Sequence, residues 1–200
     1  MKDLTRGNIY KNFILFAIPM VLAGVFSQAY SIIDTAIAGK FIGENALAAI
    51  GATSPLISFI SSAFWGFNSG VAVYIAHLFG KKSYKGIKDT ILTCVLPEIL
   101  LMIAIATSLI IFRHQIFDLL NVSKKIYDDA MAYFITYVAG FFLIVLNDTG
   151  VKITNALGIS EYPFYMSLLA AVLNVTGNLF TILHLKWGVF GLAFSSVGIK

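Results

Sequence analysis

Long apolar stretches separated by short charged loops set the pattern of this chain. From Asn12 to Gly39, twenty-eight residues carry one ionisable side chain, Asp34. A helix of that length rises about 42 Å, against a bilayer hydrocarbon core of roughly 30 Å. The first span is placed at 13–39, and four more follow at 46–79, 90–112, 130–151 and 163–185. The second is uncharged apart from His77 and is long enough to demand tilt, a kink at Pro55 or an extension beyond the bilayer. The third carries Pro97 and Glu98. A sixth stretch, 188–200, is too short to cross and reads as a helix cut off at Lys200, so a fragment of a longer chain is expected. The loop from Arg113 to Asp129 is long enough for a short surface helix. The first span could pass for a signal peptide, since Lys2, Arg6 and Lys11 precede it and Ala36-Ile37-Ala38 mimics a cleavage site. Its apolar region is too long for a signal core and more spans follow, so it reads as a retained helix. The pattern predicts an all-α polytopic membrane protein.

Composition agrees. Hydrophobic residues make up 58% of the 200 and charged residues 12%, with a mean hydropathy of +0.86, whereas soluble domains carry about 25% charged residues. The net charge of +4 lies in loops, with no basic patch interleaved with aromatics, so nucleic acid is not an expected partner and the lipid bilayer is. With the N-terminus in the cytoplasm, the inner loops hold Lys2, Arg6, Lys11, Lys81, Lys82, Lys85, Lys88 and Lys152. The outer side holds Lys40, Arg113, Lys124, Lys125 and Lys186. The dense basic loop 80–89 favours this orientation in a cell membrane. One cysteine, Cys94, excludes an internal disulfide, and His77, His114 and His184 lack ligand spacing, so no metal is expected. No phosphate loop or nucleophile–base pair is present, which argues against an enzyme or an ATP-driven pump.

Asp34 is the costly residue, at about 2.5–3.5 kcal/mol for an acid at the bilayer centre and less near its edge. Gly24, Ser27, Ser31, Asp34 and Ala38 form a stripe of small or polar side chains on one helix face, with Gln28 and Thr35 beside it. Such a stripe points at neighbouring helices rather than lipid. An acid there can exchange a proton or hold a cation; the blander reading is an interfacial aspartate reaching water or Lys40. In the fifth span Asn174 and Asn178 share a face at i and i+4, Thr181 continues it and Thr176 lies near. Their oxygens could coordinate a hard cation, or could do no more than hydrogen-bond between helices. Glu98 is open between a buried acid and a residue at the helix end. Asp148 and Lys152 read as a surface pair at i and i+4. Gly66 and Gly70, flanking Asn68, fit close helix packing.

The order of these features resembles the multidrug and toxic compound extrusion (MATE) family of transporters. The resembling pieces are Asp3-Leu4-Thr5 with Gly7, Pro19, Gln28 with Tyr30, Asp34-Thr35, Gly39, Gly43, and Ala46-Leu47-Ala48-Ala49 with Gly51. The basic loop opening at Gly80, Leu119-Leu120, Tyr133 and the stretch Gly191 to Ala193 follow in order. The resemblance implies a twelve-helix, two-lobe transporter, of which residues 1–200 would be the N-terminal six-helix lobe with its sixth helix truncated. It implies exchange of a proton or sodium ion for an organic, often cationic, compound, with the C-terminal lobe of the full-length chain as partner and no cofactor beyond the coupling ion. It assigns cation coupling to Asp34, Asn174 and Asn178; Gln28, Ser31, Thr35 and Thr181, from their places on the same two helices, are the candidates for further polar residues lining the cavity. Two departures stand out. Asn178 is an amide where many members have an aspartate, which weakens a sodium site and leaves a proton site on Asp34. The stretch Gly158-Ile159-Ser160-Glu161 stands where Gly-Asp-Thr is commoner. The alternatives are a lipid-linked oligosaccharide flippase of the same superfamily, whose cavity should be richly cationic, and a truncated remnant without transport.

Overall fold

The computed structural model describes residues 8–199. Lys2, Arg6, Asp3-Leu4-Thr5, Gly7 and Lys200, all used above, lie outside them. Within that range the chain is helical: α1 (Ile9–Ile37), α2 (Glu44–Gly80), α3 (Tyr84–Ile111), α4 (Arg113–Leu119), α5 (Tyr127–Ala156), α6 (Glu161–Leu183) and α7 (Gly188–Gly198). Five are long and apolar enough to cross a membrane; α7 is a shorter apolar helix and α4 occupies the loop expected to hold a surface helix. Asn8 caps α1 by accepting a hydrogen bond from the Lys11 amide at 3.1 Å. At its other end α1 runs into a π-helical turn, Ala38–Ile42, and Gly43 then takes φ 119°, a conformation that side chains avoid, to start α2. The 37 residues of α2 rise about 55 Å, so it reaches beyond a bilayer core with Pro55 inside it. Helix α3 begins at Tyr84, well ahead of the apolar run at Thr90, which puts Glu98 near the middle of its 28 residues.

Helix α5 is the hub, packed against α2, α3 and α7, while α1 lies along α6. Two apolar layers hold the hub. One joins Ala49 and Ile57 of α2 to Phe117 of α4 and to Ala130, Phe134 and Val138 of α5. The other joins Phe64, Met102, Phe141 and Val145, with the Phe64 and Phe141 rings edge to face at 5.6 Å. The outward faces of α1, α3 and α6 keep their large apolar side chains exposed, as a lipid-facing surface requires.

The close helix approaches differ from those expected. A Cβ at Gly66 or Gly70 would meet nothing within 4 Å, so neither glycine is used for packing among the described residues. The tight contact lies between α5 and α7, where a Cβ at Gly140 would overlap the Val197 side chain. Substituting Gly140→Ala should therefore lower the thermal unfolding midpoint, by the equivalent of about 1–3 kcal/mol of overpacking. Helix propensity alone would raise it by roughly 1 kcal/mol. Adding Val197→Ala should recover most of the loss in the same detergent melt, and a single variant more stable than the parent would show that the two helices are not seated this way.

Candidate functional site

Three helices converge on Asp34. An apolar cluster of Ile37, Ala38, Ile50, Ile182 and Leu192 ties the end of α1 to α2, α6 and α7. On α6, Gly177 lets α7 approach so closely that a Cβ there would stand 2.5 Å from Ser195 Oγ. That approach brings the next residue, Ser196, to the carboxylate. Asn178 Nδ2 donates to Asp34 Oδ1, and Ser196 Oγ donates to Asp34 Oδ2 at 2.9 Å. Asn178 Nδ2 also donates to Asn174 Oδ1 at 3.2 Å, one turn earlier on α6. The two asparagines are buried at 2% and 0% exposure, while Asp34 is half-buried. Both donors are neutral, so they orient the acid without cancelling its charge. Two polar atoms of the pair have no hydrogen-bond partner, Asn178 Oδ1 and Asn174 Nδ2.

Asp34 opens on a cavity of about 150 Å³ lined by Tyr30, Ser31, Thr35, Ser54, Ser58 and, across from α1, Tyr133, Tyr137 and Ser196. The Tyr133 and Tyr137 rings stack with centroids 5.9 Å apart. A second cavity of about 370 Å³ is lined by Gly24, Ser27, Gln28, Ser31, Asn147, Asp148 and Asn155 among others. Tyr30 and Ser31 border both cavities, so the small-polar stripe of α1 forms one wall of the pair. A row of hydroxyls, amides and acids in a membrane span can hold water and ions where a lipid-facing surface cannot.

The structure brings together Asp34, Asn174 and Asn178. It places Ser31 and Thr35 on the Asp34 cavity and Gln28 on the neighbouring one. Thr181 is elsewhere. Its hydroxyl donates back to the Asn178 carbonyl at 3.1 Å, and its Cβ would stand 3.0 Å from a Cβ on Gly191, so it packs against α7 instead of lining either cavity. Thr176 is exposed and also bonds its own helix. Ser196 and the tyrosine pair were missed as site residues. The only sequence signal for Ser196 was the Ser195-Ser196 pair in an otherwise apolar stretch, and nothing local tied it to a residue 162 positions earlier.

Fold and site together define a bundle of membrane-length helices that holds an acid and two polar cavities. The chain belongs to the MatE family, whose family model matches residues 19–180. It is 26% identical over 196 residues to the probable multidrug resistance protein YpnP of Bacillus subtilis (strain 168), covering 98% of this chain and 44% of that protein. It is also 26% identical over 189 residues to the probable multidrug resistance protein NorM of Oceanobacillus iheyensis, covering 94% of this chain and 41% of that one. The fold matches an outward-facing multidrug resistance MATE family transporter of the MOP superfamily with a TM-score of 0.90 at 23% identity, over 98% of this chain and 43% of the other. A MATE structure in the bent conformation matches at 0.88, also at 23% identity. The chain thus spans less than half the length of the curated relatives it matches, and its fold corresponds to one lobe of such transporters.

Proposed function

We propose that this chain is the N-terminal lobe of a cation-coupled antiporter that exports organic, often cationic, compounds across the cytoplasmic membrane, the second lobe being supplied by the full-length chain. The observation that carries the reading is the Asp34 carboxylate held by Asn178 and Ser196 beside a polar, tyrosine-bordered cavity. Loading and unloading a cation there would change which contacts join α1, α6 and α7, and a ligand that favours one arrangement shifts the lobe toward it. Aromatic rings on the cavity wall suit flat cationic compounds through their π faces. The names of the relatives, multidrug resistance proteins, point the same way. Neither described cavity counts a lysine or arginine among its lining residues, which speaks against a flippase of phosphate-linked lipids.

Asp34 is the coupling residue in this reading, Asn174 and Asn178 are its polar support, and the proton fits better than sodium. A sodium ion needs converging oxygens, whereas Asn178 turns its N–H toward the carboxylate and leaves its oxygen without a hydrogen-bond partner. The basic turn between α2 and α3, with Lys81, Lys82, Lys85 and Lys88, sits on the cytoplasmic side and puts the N-terminus there too.

The test is export of a cationic dye such as ethidium by the full-length protein in liposomes, under an imposed proton gradient or an equal sodium gradient. Export should accelerate with the proton gradient and stay at the ungradiented rate with sodium. Acceleration by sodium alone would reassign the ion, and indifference to both gradients would remove the antiport reading.

A further inference from the structure

A second acid lies away from Asp34, where α2, α3 and α5 meet. Glu98 of α3 is buried at 3% exposure, and Asn68 of α2 at 1%. The donors around them can be counted. Asn68 Nδ2 has two protons, and both have partners: Asp148 Oδ2 at 3.2 Å and Thr149 Oγ1 at 2.9 Å. Thr149 has one hydroxyl proton facing two acceptors, the Val145 carbonyl at 2.8 Å and Glu98 Oε2 at 3.2 Å. Lys152, expected to pair with Asp148 on the surface, is half-buried and donates to Ser69 at 3.0 Å. Glu98 Oε1 and Asn68 Oδ1 have no hydrogen-bond partner at all. On its other side Glu98 borders an apolar pocket of about 200 Å³ lined by Phe64, Phe67, Pro97 and Leu101 among others, which offers no donor side chain.

An ionised Glu98 would have to be satisfied by one Thr149 proton shared with a closer carbonyl and by an Asn68 amide whose protons already serve Asp148 and Thr149. A carboxylate has about four lone-pair sites to fill and is costly to bury without donors. A proton on Oε2 resolves the shortage. Glu98 then donates to Thr149 Oγ1, and Thr149 keeps its shorter bond to Val145. We propose that Glu98 holds a proton and, with Asp148, Asn68 and Thr149, forms a second proton-binding site of the lobe. Asp148 gives the site its access, because it is half-buried and lines the 370 Å³ cavity that adjoins the Asp34 cavity at Tyr30 and Ser31. The charged groups that bear on Glu98 are Asp148, and through it Lys152, both on α5; α2 contributes the neutral Asn68 and Ser69. Asp34 and Asp148 thus line two cavities that share Tyr30 and Ser31 as wall residues, with Glu98 behind Asp148, and the antiport reading uses only Asp34 of these acids.

Infrared difference spectroscopy of the full-length protein in lipid at neutral pH tests this. Subtracting the Glu98→Gln spectrum from the parent should leave the carbonyl stretch of a protonated carboxylic acid. The same band should remain when the subtraction is repeated in an Asp34→Asn background. Thr149→Val should shift that band, because the acid loses its hydroxyl acceptor. A difference spectrum showing only carboxylate bands overturns the proposal, as an ionised Glu98, bare or bound to sodium, would give that result. Failure of the antiport reading would instead appear as dye export indifferent to Asp34, and would leave this band in place.

Discussion

Replacing Asp34→Asn in the full-length protein should reduce gradient-driven dye export to the rate of protein-free vesicles. An amide can keep the local geometry, since its oxygen still accepts from Asn178 Nδ2 or Ser196 Oγ at the positions now occupied by Oδ1 and Oδ2. The structural cost should stay near a single exchanged hydrogen bond, about 1 kcal/mol, with little movement of the unfolding midpoint. What the amide lacks is a site for an exchangeable proton or a charge for a cation. The expected signature is therefore a split: a folded, dye-binding protein with no response to the gradient. Export that still follows the imposed gradient in this variant would end the coupling role of Asp34. A large drop in stability with proportionate loss of export would make the residue structural.

The second large effect is expected from Asn178→Asp, which restores to α6 the acid that many relatives of this architecture are expected to carry. Position 178 has no solvent exposure and its side chain lies in hydrogen-bonding contact with Asp34. Two carboxylates at that separation cannot both stay ionised without a cation between them. The variant should lose about 3–5 kcal/mol of stability in sodium-free neutral buffer, the cost of an uncompensated buried charge. Added sodium, or acid, should restore the unfolding midpoint, whereas a bulky organic cation of equal ionic strength should not. The parent protein should show no such sodium dependence. A midpoint that ignores sodium in both proteins would mean that the pocket between α1, α6 and α7 cannot close around an ion.

Much of the fold is legible in the sequence because lipid imposes a simple rule. Backbone groups in hydrocarbon must bond within their own segment, so an apolar stretch of sufficient length is read as a helix. That rule places the first five long helices, and the break before Gly188 begins the last. The helix ends follow it less closely, since α3 and α5 run on through polar residues at Tyr84–Asp89 and Lys152–Asn155 where lipid makes no demand. Close packing was misjudged for a related reason. Gly66 and Gly70 have a spacing suited to a helix contact, but no helix lies against them among the described residues. Gly140 and Gly177, with no such spacing, are glycines that α7 covers.

The sequence by itself determined that the chain spans a membrane, that Asp34 sits in a stripe of small polar residues, and that Asn174 and Asn178 share a face. Each of these follows from period and composition within one helix. Only the tertiary structure decided what those faces meet. It brought Asn178 and Ser196 to the two oxygens of Asp34, turned Thr181 toward α7, and drew Glu98, whose depth the sequence left open, and Asp148, expected in a surface pair, into one cluster with Asn68 and Thr149. Helical periodicity fixes the direction a side chain takes from its own axis. The partner it reaches depends on which helices pack together and at what rotation, and that is set by contacts such as Gly140 with Val197 and Gly177 with Ser195, far apart in the chain.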